Sequence, residues 1–351
     1  MSYRLSLRIA WAVTLVMVLL CAVSPVHAAR GVPGTPEFGV GTNIDITRPD
    51  LNAALNILPL LRPDWLRVVV RWDAYEPAPG FAADWKTLDA TMAAAANQGA
   101  AVLISLTAAP SWSLTEGGPD REAAARFAVM LANRYPATVQ AIELFPAANT
   151  AQGWQAAPNP ANYLALSQAV QSSLAAAGRQ VWMVAGGLNP CSADYDALQY
   201  LSGLYAAGAK SSLRIISLNY TSVSGEPIDS PTGCQNLRYY EEVRQVMSSN
   251  GHTDGMLWIT HLSIPGGLNR DQQQDWLARA YKQIRSQLYI GTAILQSLNE
   301  TGAGDLALLN PDGSLHPFFT TFQSFVEHNL YLSTPLKPGR AKADIFTKYH
   351  P

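Results

Sequence analysis

Short apolar runs recur along the chain, and each is followed by a longer stretch that reads as a helix. Trp65-Leu66-Arg67-Val68-Val69-Val70 is one such run. It is β-branched and nearly all apolar, as a strand covered on both faces must be. Strands are predicted at 38–43, 65–70, 101–106, 139–145, 181–185, 214–218, 256–260 and 291–296. Helices are predicted at 49–61, 85–98, 121–135, 160–177, 193–207, 236–249, 271–287 and 317–328. Punctuation supports the bounds. Asp84 is placed to cap the second helix and Gly99 to end it, while Pro63 closes the first. Eight strand–helix units at βαβ spacing predict a closed (β/α)8 TIM barrel, an α/β fold in a single domain over 38–330. A doubly wound open sheet would have the same beat. No Gly-rich phosphate loop follows the first strand to favour it.

The flanks differ from this pattern. Residues 1–28 read as a cleavable signal peptide: Arg4 and Arg8 precede an apolar run from Ile9 to Val23, and Val26-His27-Ala28 offers small residues for cleavage. The run is short for a membrane span. Leu20, ahead of Cys21, is a poor lipid-attachment context. The expected location is secreted, periplasmic or cell-envelope, with no span left after cleavage. Residues 29–37 form a Gly/Pro-rich leader. Residues 331–351 carry Pro335, Pro338 and Gly339 and read as an extended C-terminal tail.

Composition narrows the partners. Apolar residues make up 48% and charged ones 14%, enough for a large core and too few charges for disorder. Removing the signal takes away two cations and no anion, moving the formal charge from −2 to −4. No basic stripe marks a nucleic-acid footprint. Export makes a Cys191–Cys234 disulfide the favoured pairing over two buried thiols. No cofactor is expected, and no metal-ligand spacing surrounds the candidate residues.

In such a barrel, chemistry sits on the loops that follow the strands. Several residues there form a pattern. Arg67 and Trp72 precede Glu76-Pro77. Phe81 then leads to Trp85-Lys86-Thr87-Leu88-Asp89. Thr107 to Trp112 ends the third strand, and Asn219-Tyr220 the sixth. Trp258-Ile259-Thr260 ends the seventh, and Leu309-Asn310-Pro311-Asp312-Gly313 with Pro317 closes the series. Over 38–328 this resembles the large clan of retaining glycoside hydrolases, the cellulase-like and xylosidase-like barrels.

The resemblance implies two carboxyl groups about 5–5.5 Å apart, an acid/base and a nucleophile. The clan's Asn and acid/base after strand four fall on Pro146 and Ala147. Its nucleophile after strand seven falls on His261. Both carboxylates are therefore replaced. Glu143 lies roughly 13 Å deeper along its strand and reads as a structural ion-pair partner for Arg67. His261 reads as a neutral hydrogen-bonding filler, or else as a general base or metal ligand. Arg67 facing it would disfavour the imidazolium. Other acids on this face are Asp45, Asp73, Glu76, Glu116, Glu300 and Asp305. They read as loop charges and caps, or as a relocated catalytic pair. Expected ligand contacts are Arg67, Trp72, Trp112, Asn149, Trp154, Asn219, Tyr220 and His261, with the aromatic rings as sugar platforms.

The expectation is a carbohydrate-binding pseudoenzyme that takes an oligosaccharide or polysaccharide. One alternative is an active glycosidase or lyase using relocated acids or His261. Another is an envelope or polysaccharide-assembly scaffold with a cell-envelope protein partner.

Overall fold

The computed structural model describes residues 38–221, 223–224, 233–295, 297–299, 307–310 and 312–333. Eight parallel strands close into a barrel. They are β1 (Gly39–Ile44), β2 (Trp65–Arg71), β3 (Ala101–Thr107), β4 (Val139–Leu144), β5 (Trp182–Leu188), β6 (Ile215–Tyr220), β7 (Met256–Leu262) and β8 (Ile290–Leu295). Each strand pairs with its sequence neighbours, and β8 pairs with β1. The helices between and after them are α1 (Leu51–Leu61), α2 (Lys86–Gln98), α3 (Arg121–Arg134), α4 (Pro160–Ala176), α5 (Ala197–Ala206), α6 (Tyr239–Ser249), α7 (Arg270–Arg285) and α8 (Phe318–Ser333). The fold is the single-domain TIM barrel that the strand–helix beat predicts.

Local chemistry sets the element ends. Asp120, Asn159 and Asp196 each accept a backbone N–H with their side chain at a helix start. Asn269 and Gln272 form a reciprocal capping box on α7. Gly99 ends α2 at φ 66°, a left-handed conformation that costs a glycine little. Several bounds differ from the sequence expectation. The fifth strand runs on to Leu188, and α5 starts at Ala197 because Asp196 caps it there. The last helix continues to Ser333, because no proline stops it before Pro335. The loops after β2, β3 and β4 also carry short elements that the apolar pattern did not reveal. These are helical turns at Trp72–Tyr75 and Ala151–Trp154 and a two-residue ladder pairing Leu114–Thr115 with Gly118–Pro119. The 1–28, 29–37 and post-333 segments lie outside the described residues, as do Glu300, Asp305 and Pro311.

The strands separate two cores. The larger one lies between the outer strand faces and the helices. The smaller one fills the inside of the barrel, with Trp65, Leu103, Trp182, Met256, Trp258 and Ile294. Trp65 and Trp258 meet edge to face at 4.8 Å. Gly39 and Gly41 on β1 make room for this: a Cβ at either would come within 2.7–2.9 Å of Trp65 atoms. The inner core is thus a solid plug. The polar cluster around Glu143 lies above it, toward the C-terminal ends of the strands.

Candidate functional site

The floor of the site is a polar tier one layer above the tryptophan plug. Glu143 on β4 is fully buried, and Arg67 on β2 is 4% exposed. Arg67 Nη2 donates to Glu143 Oε2 at 3.2 Å and Arg67 Nε to Ser105 Oγ at 2.7 Å. Ser105 donates to the same carboxylate oxygen at 2.5 Å. Ser217 and Thr260 donate to Oε1 at 2.9 and 2.5 Å. Arg67 Nη1 reaches Asn43 Oδ1 at 3.3 Å, and Thr260 Oγ1 lies 2.8 Å from Asn219 Oδ1. Donors from four other strands therefore converge on one carboxylate. A buried carboxylate needs such partners, because an unpaired charge inside the barrel would be far costlier than any neutral group.

This arrangement corrects one expectation. Arg67 does not address His261. Its donors go to Glu143, Ser105 and Asn43. The inward side chains of β2 and β4 reach the same height in the barrel, and the carboxylate is the strongest acceptor within reach.

The rim above this floor is built from strained backbone. Phe145 and Ala147 after β4, and Ala108 after β3, have φ values of 46°, 61° and 53°. Left-handed backbone costs a non-glycine residue about 1–2 kcal/mol. Neighbouring strands hold it in place: Phe145 N donates to Leu106 O, Ala147 N to Gly187 O and Ala148 N to Gly186 O. Gly187 is itself at φ 48°, and a Cβ there would lie 2.6 Å from Pro146 Cα. The Pro146-Ala147 loop thus rests directly on the end of β5. Ala147 is half-buried and carries no polar side-chain atom. On β7, His261 is half-buried, pairs in register with Asn219 and sits 3.2 Å from Ser263 Oγ through Nε2.

The aromatic residues divide. Trp72 is fully buried, stacks on Phe127 and donates from Nε1 to Glu76. Trp154 is 1% exposed, donates to Gly117 O and packs against Phe145 and Tyr163. Tyr220 is fully buried and donates to Leu237 O. The expectation of an open stacking face is corrected at these three, because loop turns and helices cover their rings. Trp112 remains half-buried, its Nε1 on Glu76 O and Arg126 over its ring at 5.5 Å. Asn149 is fully buried, and its amide is engaged by Asn189 and Tyr195. It braces the loop after β4 and has no surface for a ligand.

The loop acids have local partners. Asp45 accepts from Thr47, Asp73 pairs with Arg71, and Glu76 with Arg126. Glu116 is exposed. Among the described residues no group of three His, Cys, Asp or Glu could hold a metal, and no helix is long and apolar enough to cross a membrane. Cys191 and Cys234 form a disulfide between the loops after β5 and β6. An apolar cavity of 390 Å³, lined by Phe38, Val40, Tyr281 and Phe325, lies at the opposite end of the barrel, beside the start of β1.

No family model and no curated protein sequence matches the chain. Solved structures do. A family 39 glycoside hydrolase from the gut symbiont Bacteroides cellulosilyticus aligns with a TM-score of 0.64 at 15% identity, over 85% of this chain and 64% of that one. A family 5 (subfamily 18) glycoside hydrolase from Bifidobacterium longum gives 0.62 at 13%, over 86% and 81%. A family 128 (subgroup II) endo-beta-1,3-glucanase from Sorangium cellulosum gives 0.51 at 17%, over 84% and 97%. The chain thus spans under two thirds of the family 39 enzyme's length. At these identities the likeness is one of fold: this is a glycoside-hydrolase-like TIM barrel.

Proposed function

We propose that the protein is an exported, glycoside-hydrolase-like pseudoenzyme that binds carbohydrate at the C-terminal face of its barrel without cleaving it. The observation that carries this reading is the fate of the acids. Retaining hydrolysis requires two carboxyl groups facing each other across the sugar. The positions that resemble the clan's pair hold Ala147 and His261. The carboxylate inside the barrel, Glu143, is fully buried beneath them and bonded to Arg67, Ser105, Ser217 and Thr260. A group so enclosed has no path to a substrate proton. Asp45, Asp73 and Glu76 are engaged in local turns and ion pairs.

Binding does not need those acids. His261 on β7 and Trp112 on the loop after β3 are half-buried, and on this reading they would offer a sugar a hydrogen-bonding ring and one aromatic edge. Export rests on the 1–28 sequence pattern and agrees with a disulfide-bonded fold.

Isothermal titration against a broad panel of plant and bacterial oligosaccharides tests the binding half. Heat with at least one glycan, lost in His261→Ala, is the expected result. No heat across the panel would remove the support for binding. Turnover of an aryl glycoside, abolished by His261→Ala or by changing one loop acid, would establish an active hydrolase instead.

A further inference from the structure

We propose that the apolar cavity at the N-terminal end of the barrel is a second ligand site, built for a small amphiphilic anion: a hydrocarbon body with one carboxylate or similar head. The cavity has a volume of 390 Å³. Small-molecule sites run from about 300 to 1,000 Å³. It lies at the small end of that range, so the body is a single chain or a single ring system. Three elements supply the walls. Phe38 and Val40 come from the edge of β1, Phe325 from α8, and Ala278, Tyr281, Lys282 and Arg285 from α7. The four α7 positions are spaced i, i+3, i+4 and i+7, which is one face of a helix. The aromatic wall is fixed. Tyr281 and Phe325 stack at 4.7 Å, and Phe38 meets Tyr281 edge to face at 6.3 Å. Tyr281 Oη donates to Ala293 O at 3.3 Å, so the ring presents only apolar surface to the cavity.

The charges decide what kind of ligand fits. Lys282 is exposed and Arg285 half-buried, three residues apart on the same helix face. Like charges at that spacing repel each other. Among the described residues no carboxylate forms a salt bridge with either. Cations suit the last turn of a helix, but any side of α7 would meet that preference, and these two stand on the side of the cavity. Burial lowers the pKa of Arg285, against the raising pull of the Asp64 carboxylate, which accepts from Val40 N at 3.0 Å. An anion at the mouth would act in the same sense as Asp64. An amphiphile matches both halves of the site. Its body displaces water from Phe38, Val40 and Phe325. Its head meets the charged ends of Lys282 and Arg285, whose alkyl stems run along the apolar wall. A neutral apolar molecule would leave the cations unanswered, and a bare anion would leave the cavity unfilled. Ala147 and His261 lie at the other end of the barrel, so this site is independent of the glycan reading.

Titration calorimetry of the full chain with decanoate, kept below its micellar range, is the test. Decanoate should bind. Decyltrimethylammonium, with the same tail and the opposite charge, should bind at least about 10-fold more weakly, the size of one lost charge-assisted hydrogen bond. Lys282→Gln with Arg285→Gln should weaken decanoate by a similar factor and leave the melting temperature nearly unchanged. Ala278→Phe should fill the cavity and abolish binding. Amide spectra of the unmodified protein should shift in α7, α8 and the start of β1 on adding decanoate, which keeps the test valid even where Ala278→Phe does not fold. No heat with decanoate, equal affinity for the cationic amphiphile, or shifts confined to other faces would overturn the proposal. Decanoate that binds only after deletion of residues 29–37 would also overturn it, by assigning the cavity to the chain's own leader.

Discussion

Arg67 and Glu143 form a salt bridge of 3.2 Å inside the barrel, with side-chain exposures of 5% and 0%. The carboxylate that Arg67 serves lies fully buried inside the barrel. Breaking such a pair leaves an uncompensated interior charge, which costs about 3–5 kcal/mol. Arg67→Met and Glu143→Gln should each destabilise by that order. The double variant should cost less than the two together, because the orphaned charge is removed. Urea unfolding of the four proteins measures this cycle. Additive losses would mean the pair is not coupled.

Ala147 adopts φ 61° with a β-carbon present. Glycine there relieves the left-handed strain. Ala147→Gly should therefore stabilise the fold by about 1 kcal/mol, seen as a higher melting temperature. A lower one would show that the loop is not strained at this residue.

On the proposed pseudoenzyme reading, Ala147→Glu with His261→Glu puts carboxyl groups at the two rim positions that resemble the clan's pair, and should yield little. On the same reading Pro146 would offer no amide to a sugar, and Arg67 still faces Glu143. Hydrolysis needs supporting groups as well as the acids themselves. We expect at most trace release from an aryl glycoside; vigorous turnover would mean the remaining site is intact.

His252 is 2% exposed and 2.8 Å from Tyr205 Oη. Burial first, then Arg244, Arg214 and Lys210, push its pKa below 6.5, against the raising effect of Asp254. His316 is lowered too, again chiefly by burial. The unfolded chain therefore binds these protons at a higher pH than the folded one. Their contribution is fully present above pH 6.5 and is lost as pH falls from there through the folded-state pKa values. Chemical denaturation between pH 8 and pH 5 should show this slope, and His252→Phe should flatten it. A slope that His252→Phe leaves unchanged would assign it to other groups.

The disulfide closes a loop with a sequence separation of 43. Loop-closure entropy predicts about 4 kcal/mol of stabilisation for that length. Reduced and oxidised protein, compared in urea, should differ by that order. No difference would mean that the bridge acts through the native rim alone.

The sequence by itself determined the barrel. Eight apolar runs and eight helices are local patterns, and β-branched runs covered on both faces have few other ways to bury themselves. It also made Cys191 and Cys234 the favoured disulfide pair, and the fold closed that bridge. The tertiary structure decided where side chains point. Trp72, Trp154, Tyr220 and Asn149 read as rim residues in one dimension. In three, they are covered by Phe127, Tyr163, the Tyr220–Leu237 closure and the Asn189 loop. The Arg67–Glu143 ion pair was legible in the sequence, but not its further partners Ser105, Ser217 and Thr260 from three other strands. Spacing along a strand gives the face and the height of a residue. Only packing between strands and loops decides which neighbour takes its surface.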